Sequence, residues 1–164
     1  MEVGVGARLY QVPREANRLY RDLLFRADDS VTEVDGYIEA GTLYLWRDGD
    51  HVLGHVLVTS LGDGEAELKN LAVDPEKVGR GIGKAMIAAI LQEITASGMT
   101  RAFVATSAAD TGNLHFYQRC GFRPLRIERD VFTPERGYIE DFRVNGILAV
   151  DQVIMDCELP RRTR

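Results

Sequence analysis

Three alternating glycines stand directly before an apolar helix pattern, in the stretch VDPEKVGRGIGKAM. They are Gly79, Gly81 and Gly83, and two basic residues, Arg80 and Lys84, lie among them. The first amides of a helix have no partner within the helix, and the helix dipole is positive there, so a helix N-terminus attracts an anion. Glycine adopts the backbone dihedrals of such a loop and lets a bulky ligand approach the main chain. The pattern therefore indicates a phosphate-binding loop.

Two nucleotide-binding motifs fail on this stretch. A P-loop requires a glycine at position 78 and Ser or Thr at position 85, where the chain has Val78 and Ala85. A dinucleotide fingerprint requires its third glycine at position 84 or 86, where the chain has Lys84 and Met86. Both nucleotide-binding motifs are therefore excluded, and the loop is expected to bind another anionic group.

The segment from Glu67 to Phe122 resembles the GNAT family of N-acetyltransferases in two blocks. The first block, LKNLAVDPEKVGRGIGKAMI, matches a strand, a loop of the form Gln/Arg-x-x-Gly-x-Gly/Ala, here residues 78–83, and a helix. The second block, AFVATSAADTGNLHFYQRCGF, matches a short strand and a helix that ends in Tyr-x-x-x-Gly-Phe. Both blocks occur in the family order and at ordinary spacing. The resemblance is firm over residues 66–123 and implies acetyl-CoA as the cosubstrate, with no metal.

The resemblance also implies which positions bind the cosubstrate. The main chain of the strand pairs with pantetheine as a neighbouring strand would, and the amide of Leu71 faces the thioester carbonyl. The loop amides bind the pyrophosphate, aided by the charges of Arg80 and Lys84. The implied cofactor-binding residues are Leu71, Ala72, Val73, Val78, Gly79, Arg80, Gly81, Ile82, Gly83, Lys84, Asn113 and Tyr117.

Two positions depart from the family pattern. Val78 stands where the family usually has Gln or Arg, which removes a polar side chain but keeps the backbone amides. Asp110 stands where the family often has Asn, and a carboxylate has no amide proton to donate to pantetheine. Asn113 lies one helical turn before Tyr117, on the same face, and is the predicted substitute.

Two side chains are predicted to carry the chemistry. By the resemblance, Tyr117 lies near the CoA sulfur and protonates the leaving thiolate, a phenol of pKa ~10 serving a thiol of pKa ~8.5. Glu67 stands at the register of the catalytic glutamate of histone acetyltransferases in this family, as the base for an amine of pKa ~10.4. Strand alternation predicts that residues 67, 69, 71 and 73 share one face. The alternatives are a core aromatic for Tyr117, a solvated pair with Lys69 for Glu67, and a water chain as the base.

The elements that must position these residues follow from periodicity and turn signals. Strands are predicted at 7–12, 42–47, 52–60, 65–73, 101–107, 125–130 and 149–159, and helices at 14–27, 31–40, 82–97 and 112–120. Ser30 and either Asp110 or Thr111 are the predicted N-caps, and residues 131–148 form a long loop or hairpin. We expect one domain over residues 1–164, of the α/β class and α+β type. Its GNAT-like sheet is mixed, mostly antiparallel, flanked by helices, and splayed between strands 66–73 and 101–107.

The acceptor is expected to approach two segments, residues 28–40 and 131–148. Acidic side chains in the first would attract an ammonium group, and the alternative is a solvated helix face. The residues concerned are Asp28, Asp29, Glu33, Asp35 and Glu39 in the first segment, and Phe132, Arg136, Tyr138, Glu140, Asp141 and Phe142 in the second.

Composition limits which classes of partner the protein can bind and in which cellular compartment we expect it. The formal net charge of −5 and the pI of about 5.2 argue against broad nucleic-acid binding. Cys120 and Cys157 are too few for a disulfide framework or a zinc site, and we expect buried, reduced thiols. The N-terminus lacks signal-peptide features and no apolar run approaches the ~20 residues of a membrane span, so we expect a cytoplasmic protein with no membrane contact.

The three histidines have no metal-ligand spacing. His51, His55 and His115 are therefore expected to be structural or surface residues. His115 lies two residues from Tyr117 and is expected to face elsewhere on the helix.

The predicted function is acetyl-CoA-dependent N-acetylation of a primary amine, by direct transfer in a ternary complex. The amine belongs to a small molecule or a peptide, and the oligomeric state is open between monomer and homodimer. Two alternatives remain. One is a non-catalytic module that binds or senses acyl-CoA, and the other is an acyltransferase that uses another acyl-CoA or a non-amine acceptor.

Overall fold

A computed structural model describes residues 6–160 as nine strands and four α-helices. The strands are β1 (Arg8–Gln11), β2 (Thr42–Asp48), β3 (His51–Gly62), β4 (Glu65–Val73), β5 (Arg101–Ser107), β6 (Arg123–Glu128), β7 (Arg143–Val144), β8 (Ile147–Leu148) and β9 (Gln152–Glu158). The helices are α1 (Arg21–Leu24), α2 (Val31–Tyr37), α3 (Ile82–Ala96) and α4 (Thr111–Arg119). Short 3₁₀ segments cover Arg14–Tyr20, Pro75–Lys77 and Pro134–Arg136.

Seven strands form one sheet in the order β1-β2-β3-β4-β5-β9-β6, with β7 and β8 as a separate hairpin. Every neighbouring pair in the large sheet is antiparallel except β4 and β5. These two parallel strands pair only at their first residues, 65–67 with 101–103, and then diverge. The predicted sheet, mixed, mostly antiparallel and splayed at this point, is confirmed.

Helices cover both faces of the sheet, because each presents an apolar stripe at helical spacing. On one face α3 buries its stripe in the main core, and on the other face α1 and α2 form a smaller core. The α3 stripe consists of Ile82, Met86, Ile87, Ile90 and Ile94. Against the other face pack Leu24, Val34, Tyr37 and Ile38.

The prediction of one α-helix over residues 14–27 is wrong, because the segment is mostly a 3₁₀ helix. A 3₁₀ segment occupies Arg14–Tyr20, and only the single turn of α1 follows it. Asn17 is fully buried, and its amide donates to the carbonyls of Ile38 at 2.9 Å and Gly41 at 3.1 Å. Leu19, which a continuous helix would place on the same side as the partly buried Leu23 and the buried Leu24, is 83% exposed. The buried amide, rather than an apolar stripe, sets which side of this segment faces inward.

Three other predicted boundaries shift. Helix α2 begins at its predicted N-cap, Ser30, but ends at Tyr37 rather than residue 40. Strand β6 covers 123–128 instead of 125–130, since Asp130 has a φ of 55° and breaks the extended backbone. Strand β9 begins at Gln152 rather than residue 149, because Ala149 instead donates its amide to Phe142 O at 2.8 Å.

Candidate active site

A β-bulge in β4 divides the strand's side chains between the two faces of the sheet. The register on β3 shifts between Leu68 and Asn70, so Lys69 is one residue in excess. Leu68 packs into the core beside α3, whereas Asn70 is buried on the opposite side, next to Tyr37. The excess residue reverses the alternation of side chains for the remainder of the strand.

The prediction that residues 67, 69, 71 and 73 share one face is therefore wrong. Leu71 and Val73 lie beyond the bulge and pack against the α3 core. Lys69 lies on the other side, with its Nζ 5.4 Å from the centre of the Tyr37 ring and 3.8 Å from Glu67 Oε1. The carboxylate of Glu67 is thus on the face that α1 and α2 cover.

The second half of β4 has main-chain groups without a neighbouring strand on one side. Asp74 donates its amide to Leu53 O in β3 at 2.8 Å. Because main-chain groups alternate in direction along a strand, those of Leu71 and Val73 point away from β3. They point to where β5 has already diverged, since β4 and β5 pair only as far as Glu67. An extended ligand chain could pair with this open edge as an added strand.

The glycine loop takes left-handed backbone conformations immediately before α3. Gly79 has a φ of 83°, and Gly81, the N-cap of α3, has a φ of 76°. A Cβ at Gly79 would meet nothing within 4 Å, so the loop's outer surface is open to a ligand. At Gly83 a Cβ would lie 3.0 Å from Phe116 Cζ, so this glycine allows α3 and α4 to pack closely. The loop therefore presents an open main-chain surface at the N-terminus of α3, a geometry that can bind an anion.

One cleft of about 810 Å³ joins this loop, the open edge of β4 and both predicted acceptor segments. Every predicted catalytic or cofactor-binding residue lines it except Arg80, which is exposed outside it. The predicted residues on its walls are Glu67, Leu71, Ala72, Val73, Val78, Gly79, Gly81, Ile82, Gly83, Lys84, Asn113 and Tyr117. Lys77 and Arg119, which the sequence pattern did not single out, add positive charge to the same walls.

Tyr117 is buried, with 7% of its surface exposed, yet it lies on the cleft wall. Its ring packs against Phe116 at 5.4 Å and Phe122 at 6.0 Å between ring centres. Burial, followed by the nearby Cys120 and Asp110, raises the pKa of the phenol well above its usual range. The hydroxyl therefore keeps its proton at neutral pH, as a proton donor must, and burial makes it a weaker acid than a free tyrosine.

Asp110 has a structural function at the start of α4. Its Oδ1 accepts the backbone amide of Asn113 at 2.9 Å, which makes Asp110 the N-cap of α4. The Asn113 side chain lies on the cleft wall, with its Nδ2 3.4 Å from Thr106 Oγ1. The predicted cap is confirmed.

His115 lies on the cleft wall, contrary to the expectation that it would face elsewhere. The cleft runs along α4 over more than one helix face, so residues two positions apart both reach it. His115 and Arg119 are one turn apart, and this spacing of two basic residues was the available sequence signal. Cys120 also lines the cleft and, like Cys157, is a partly exposed free thiol rather than the buried one expected.

Glu67 is only partly exposed, at 19% of its side chain, and forms its ion pair with Lys69 on the cleft wall. This pairing was the structural alternative to a catalytic role. The pair with Lys69 is therefore present, and the Glu67 side chain also keeps contact with the cleft.

The acceptor end of the cleft is held together by Asp28. Its Oδ1 accepts the Ser30 amide at 3.0 Å and the Tyr138 hydroxyl at 2.9 Å. Its Oδ2 accepts the Tyr37 hydroxyl at 3.0 Å. Three donors thus hold this carboxylate in place.

A second contact joins the same two segments. The Arg136 guanidinium donates to both oxygens of Glu33, at 3.1 and 3.0 Å. This hydrogen bonding lowers the pKa of Glu33. The remaining predicted acceptor residues, Asp35, Glu39, Glu140 and Asp141, do not line the cleft. Asp35, Glu39 and Asp141 instead pair with Arg21, Arg18 and Arg143.

A buried polar chain connects the core with Asp28. The Asn70 amide donates to Leu24 O at 2.9 Å and to the Tyr37 hydroxyl at 2.7 Å. Its oxygen must therefore accept from His55 Nε2, at 2.7 Å, which assigns the proton to that nitrogen. Complete burial lowers the pKa of His55 to about 4. His55 is thus structural, as expected.

Two further findings concern metals and membranes. Within residues 6–160, no group of three or more His, Cys, Asp or Glu side chains is arranged to hold a metal ion. None of the helices described over the same residues combines the length and the apolarity needed to cross a membrane.

Comparison with known proteins decides the family. Residues 7–122 match the family model described as Acetyltransferase (GNAT) family. The chain belongs to the GNAT family. The predicted family is confirmed, and so is the prediction that the chain is an acetyltransferase.

Similar proteins cover this GNAT chain almost from end to end. An uncharacterized N-acetyltransferase of Bacillus subtilis strain 168, YvbK, is 31% identical over 149 residues, which are 91% of this chain and 95% of the relative. The crystal structure of a Bacillus subtilis acetyltransferase in complex with CoA is 30% identical, with a TM-score of 0.82, and covers 94% of this chain and 99% of its own. A GNAT acetyltransferase from Elizabethkingia anophelis with acetyl-CoA bound is 26% identical, with a TM-score of 0.86 and coverage of 95% and 100%. The molecules bound in these neighbours agree with the predicted cosubstrate.

Proposed function

We propose that this GNAT acetyltransferase moves the acetyl group of acetyl-CoA directly to a primary amine, with both substrates bound at once. The observation that carries the proposal is the single cleft, which the glycine loop, the open edge of β4, Tyr117 and Glu67 all line. A reaction through a ternary complex needs both substrates side by side, and one continuous cleft supports that arrangement.

The cofactor end of the cleft would hold acetyl-CoA through the main chain. The amides of Gly79 and Gly81, with the charge of Lys84, would bind the pyrophosphate. The open edge of β4 would pair with pantetheine, and the Leu71 amide would donate to the carbonyl oxygen as negative charge develops on it. The cosubstrate supplies an activated thioester, and this chain orients it.

Two side chains would transfer protons, one to the leaving group and one from the attacking amine. The Tyr117 hydroxyl, kept protonated by its burial, would donate to the sulfur of the leaving group. The Glu67 carboxylate would take the proton from the attacking ammonium, directly or through a water. No covalent intermediate on the chain is required.

Steady-state kinetics test the proposal. CoA thiol release is measured while acetyl-CoA and a primary amine such as 2-phenylethylamine or n-butylamine are varied together. Double-reciprocal lines that intersect are expected for a ternary complex, whereas parallel lines would indicate a covalent acetyl-enzyme. If acetyl-CoA binds but no amine accelerates thiol release, the chain is a non-catalytic binding module and the proposal is wrong.

A further inference from the structure

Three aromatic rings form a wall at the acceptor end of the cleft. Phe132, Tyr138 and Phe142 contact one another, with ring centres 5.1, 5.8 and 5.6 Å apart. Each is half-buried and lines the cleft, and Val131 and Val144 extend the same apolar surface. Aromatic rings in such a wall leave faces and edges for a further ring to pack against.

Several carboxylates line the same cleft, and in the described part of the chain Asp29 is the one without a partner. Asp28 accepts three hydrogen bonds and Glu33 holds Arg136. Asp29 also lines the cleft, but within residues 6–160 its side chain makes neither a hydrogen bond nor an ion pair. Loss of hydration, followed by the like charge of Asp28, raises the pKa of the Asp29 carboxyl. Asp29 is itself exposed, and a cation bound beside it would offset the like charge of Asp28.

The aromatic wall is fixed relative to the carboxylates before any acceptor binds. The Tyr138 hydroxyl donates a hydrogen bond to Asp28, and the Arg136 guanidinium donates to Glu33. The Ser30 hydroxyl donates to the main-chain carbonyl of Arg136. Gly137 has a φ of 89°, and a Cβ there would lie 2.6 Å from Ser30 Oγ, so the segment approaches α2 closely. A preformed site costs little ordering entropy on binding and favours acceptors of matching shape.

Building on the proposed function, we propose that the acceptor is an arylalkylamine without a carboxylate, a single primary amine joined by a short linker to an aromatic ring. The ring would pack on the wall of Phe132, Tyr138 and Phe142 while Asp29 attracts the ammonium group. A polyamine would bring several charges to a site with one unpartnered carboxylate and an apolar wall. Arg26 also lines the cleft, so an acceptor that carries a carboxylate as well is included in the test.

Acceptor competition tests this class. Values of kcat/KM are measured for 2-phenylethylamine, n-butylamine, spermidine and phenylalanine with saturating acetyl-CoA. We expect 2-phenylethylamine to exceed n-butylamine by about tenfold or more, because a filled apolar subsite commonly discriminates to that degree. Phe142→Ala should remove most of this preference. Ile139→Ala is the matched control, since Ile139 is in the same segment, 71% exposed and outside the cleft, and it should keep the preference.

Asp29→Asn tests the charge. It should lower kcat/KM for 2-phenylethylamine, and the difference from the unchanged protein should shrink at high ionic strength because salt screens the attraction. If Phe142→Ala lowers the melting temperature sharply, Phe142→Leu, which keeps an apolar side chain but no ring, replaces it.

The outcomes separate the two proposals. If no amine is acetylated although acetyl-CoA binds, the proposed function fails and this inference fails with it. If amines are acetylated but n-butylamine, spermidine or phenylalanine equals 2-phenylethylamine, only the arylalkylamine class is overturned. An equal loss for all amines in Phe142→Ala would likewise overturn the role of the aromatic wall.

Discussion

Tyr117 and Glu67 divide the proposed proton transfers between a buried phenol and a partly exposed carboxylate. The phenol is surrounded by Phe116 and Phe122, and this surrounding keeps its proton in place. Glu67 keeps contact with the cleft and has only the Lys69 ammonium, 3.8 Å away, as an ionic partner. The phenol thus lies in an apolar environment and the carboxylate in a polar one, which suits the proposed division of roles.

Tyr117→Phe should lower kcat by about 100-fold while the KM for acetyl-CoA changes little, because general acid catalysis contributes at least that much. The ring, and with it the packing, is kept. Tyr44→Phe is the matched control, since Tyr44 is a buried tyrosine of the same core that does not line the cleft. Steady-state thiol-release assays measure both variants. An unchanged kcat in Tyr117→Phe would remove the proposed proton donor.

Glu67→Gln should lower kcat/KM for a primary amine by about 100-fold at neutral pH. The deficit should shrink as the pH rises toward the amine's own pKa of ~10.4, because the free amine then needs no base. Glu65→Gln, in the same strand but paired with Arg101 outside the cleft, is the control and should keep its activity. A deficit that is the same at every pH would argue that Glu67 positions residues and does not accept the proton.

At the scale of elements, the glycine loop can be tested by comparing two glycines at which alanine should destabilise the backbone to the same degree. Gly79 and Gly49 both have positive φ, 83° and 57°, and at both a Cβ would meet nothing within 4 Å. Alanine at either position should therefore destabilise the fold by about 1 kcal/mol. Only Gly79→Ala should also weaken acetyl-CoA binding, by about tenfold in calorimetric titration. Equal affinities in the two variants would contradict a pyrophosphate site at this loop.

The bulge of β4 places Asn70 against His55, and the burial of this histidine gives the fold a pH dependence. Below pH 6.5 the unfolded chain protonates His55, whereas the folded chain does so only near the lowered pKa of about 4. Stability should therefore fall as the pH decreases through this window, by about 3 kcal/mol from this residue.

Denaturant unfolding at pH 7, 5.5 and 4 measures this effect. In His55→Gln, whose amide can still donate to Asn70, the unfolding free energy should be lower at pH 7 and less dependent on pH. The same slope in both proteins would assign the acid sensitivity to other groups, such as the lowered pKa of Glu33.

The elements proposed to bind the cosubstrate were predictable from sequence because their signals are local. Strand 65–73, helix 82–97 and strand 101–107 were placed within one residue, since turn glycines and apolar periodicity mark their ends. The bulge was not predictable, because it depends on the register of β4 against β3 rather than on β4 alone. Strict alternation therefore assigned Leu71 to the wrong face.

At the scale of the whole molecule, the cleft results from the divergence of two parallel strands. The family resemblance predicted this divergence and the two acceptor segments. It did not predict which residues of the two segments contact each other. Ser30 and Arg136, whose contact closes the acceptor end, are 106 residues apart in sequence. Only the folded chain brings the Phe132, Tyr138 and Phe142 wall and Asp29 into the same cleft. The extent of the cleft also depends on the whole fold. It runs along more than one face of α4, so His115 lines it although the sequence predicted that His115 would face elsewhere.

The most direct test of the account follows the acetyl group itself. Acetyl-CoA with an isotopically labelled acetyl group is incubated with 2-phenylethylamine and the protein, and mass spectrometry quantifies labelled amide, free CoA and any labelled protein. The account predicts one labelled amide for each CoA released, no labelled protein, and a much slower reaction in Tyr117→Phe. CoA released without amide, or label retained on the protein, would contradict direct transfer to an amine.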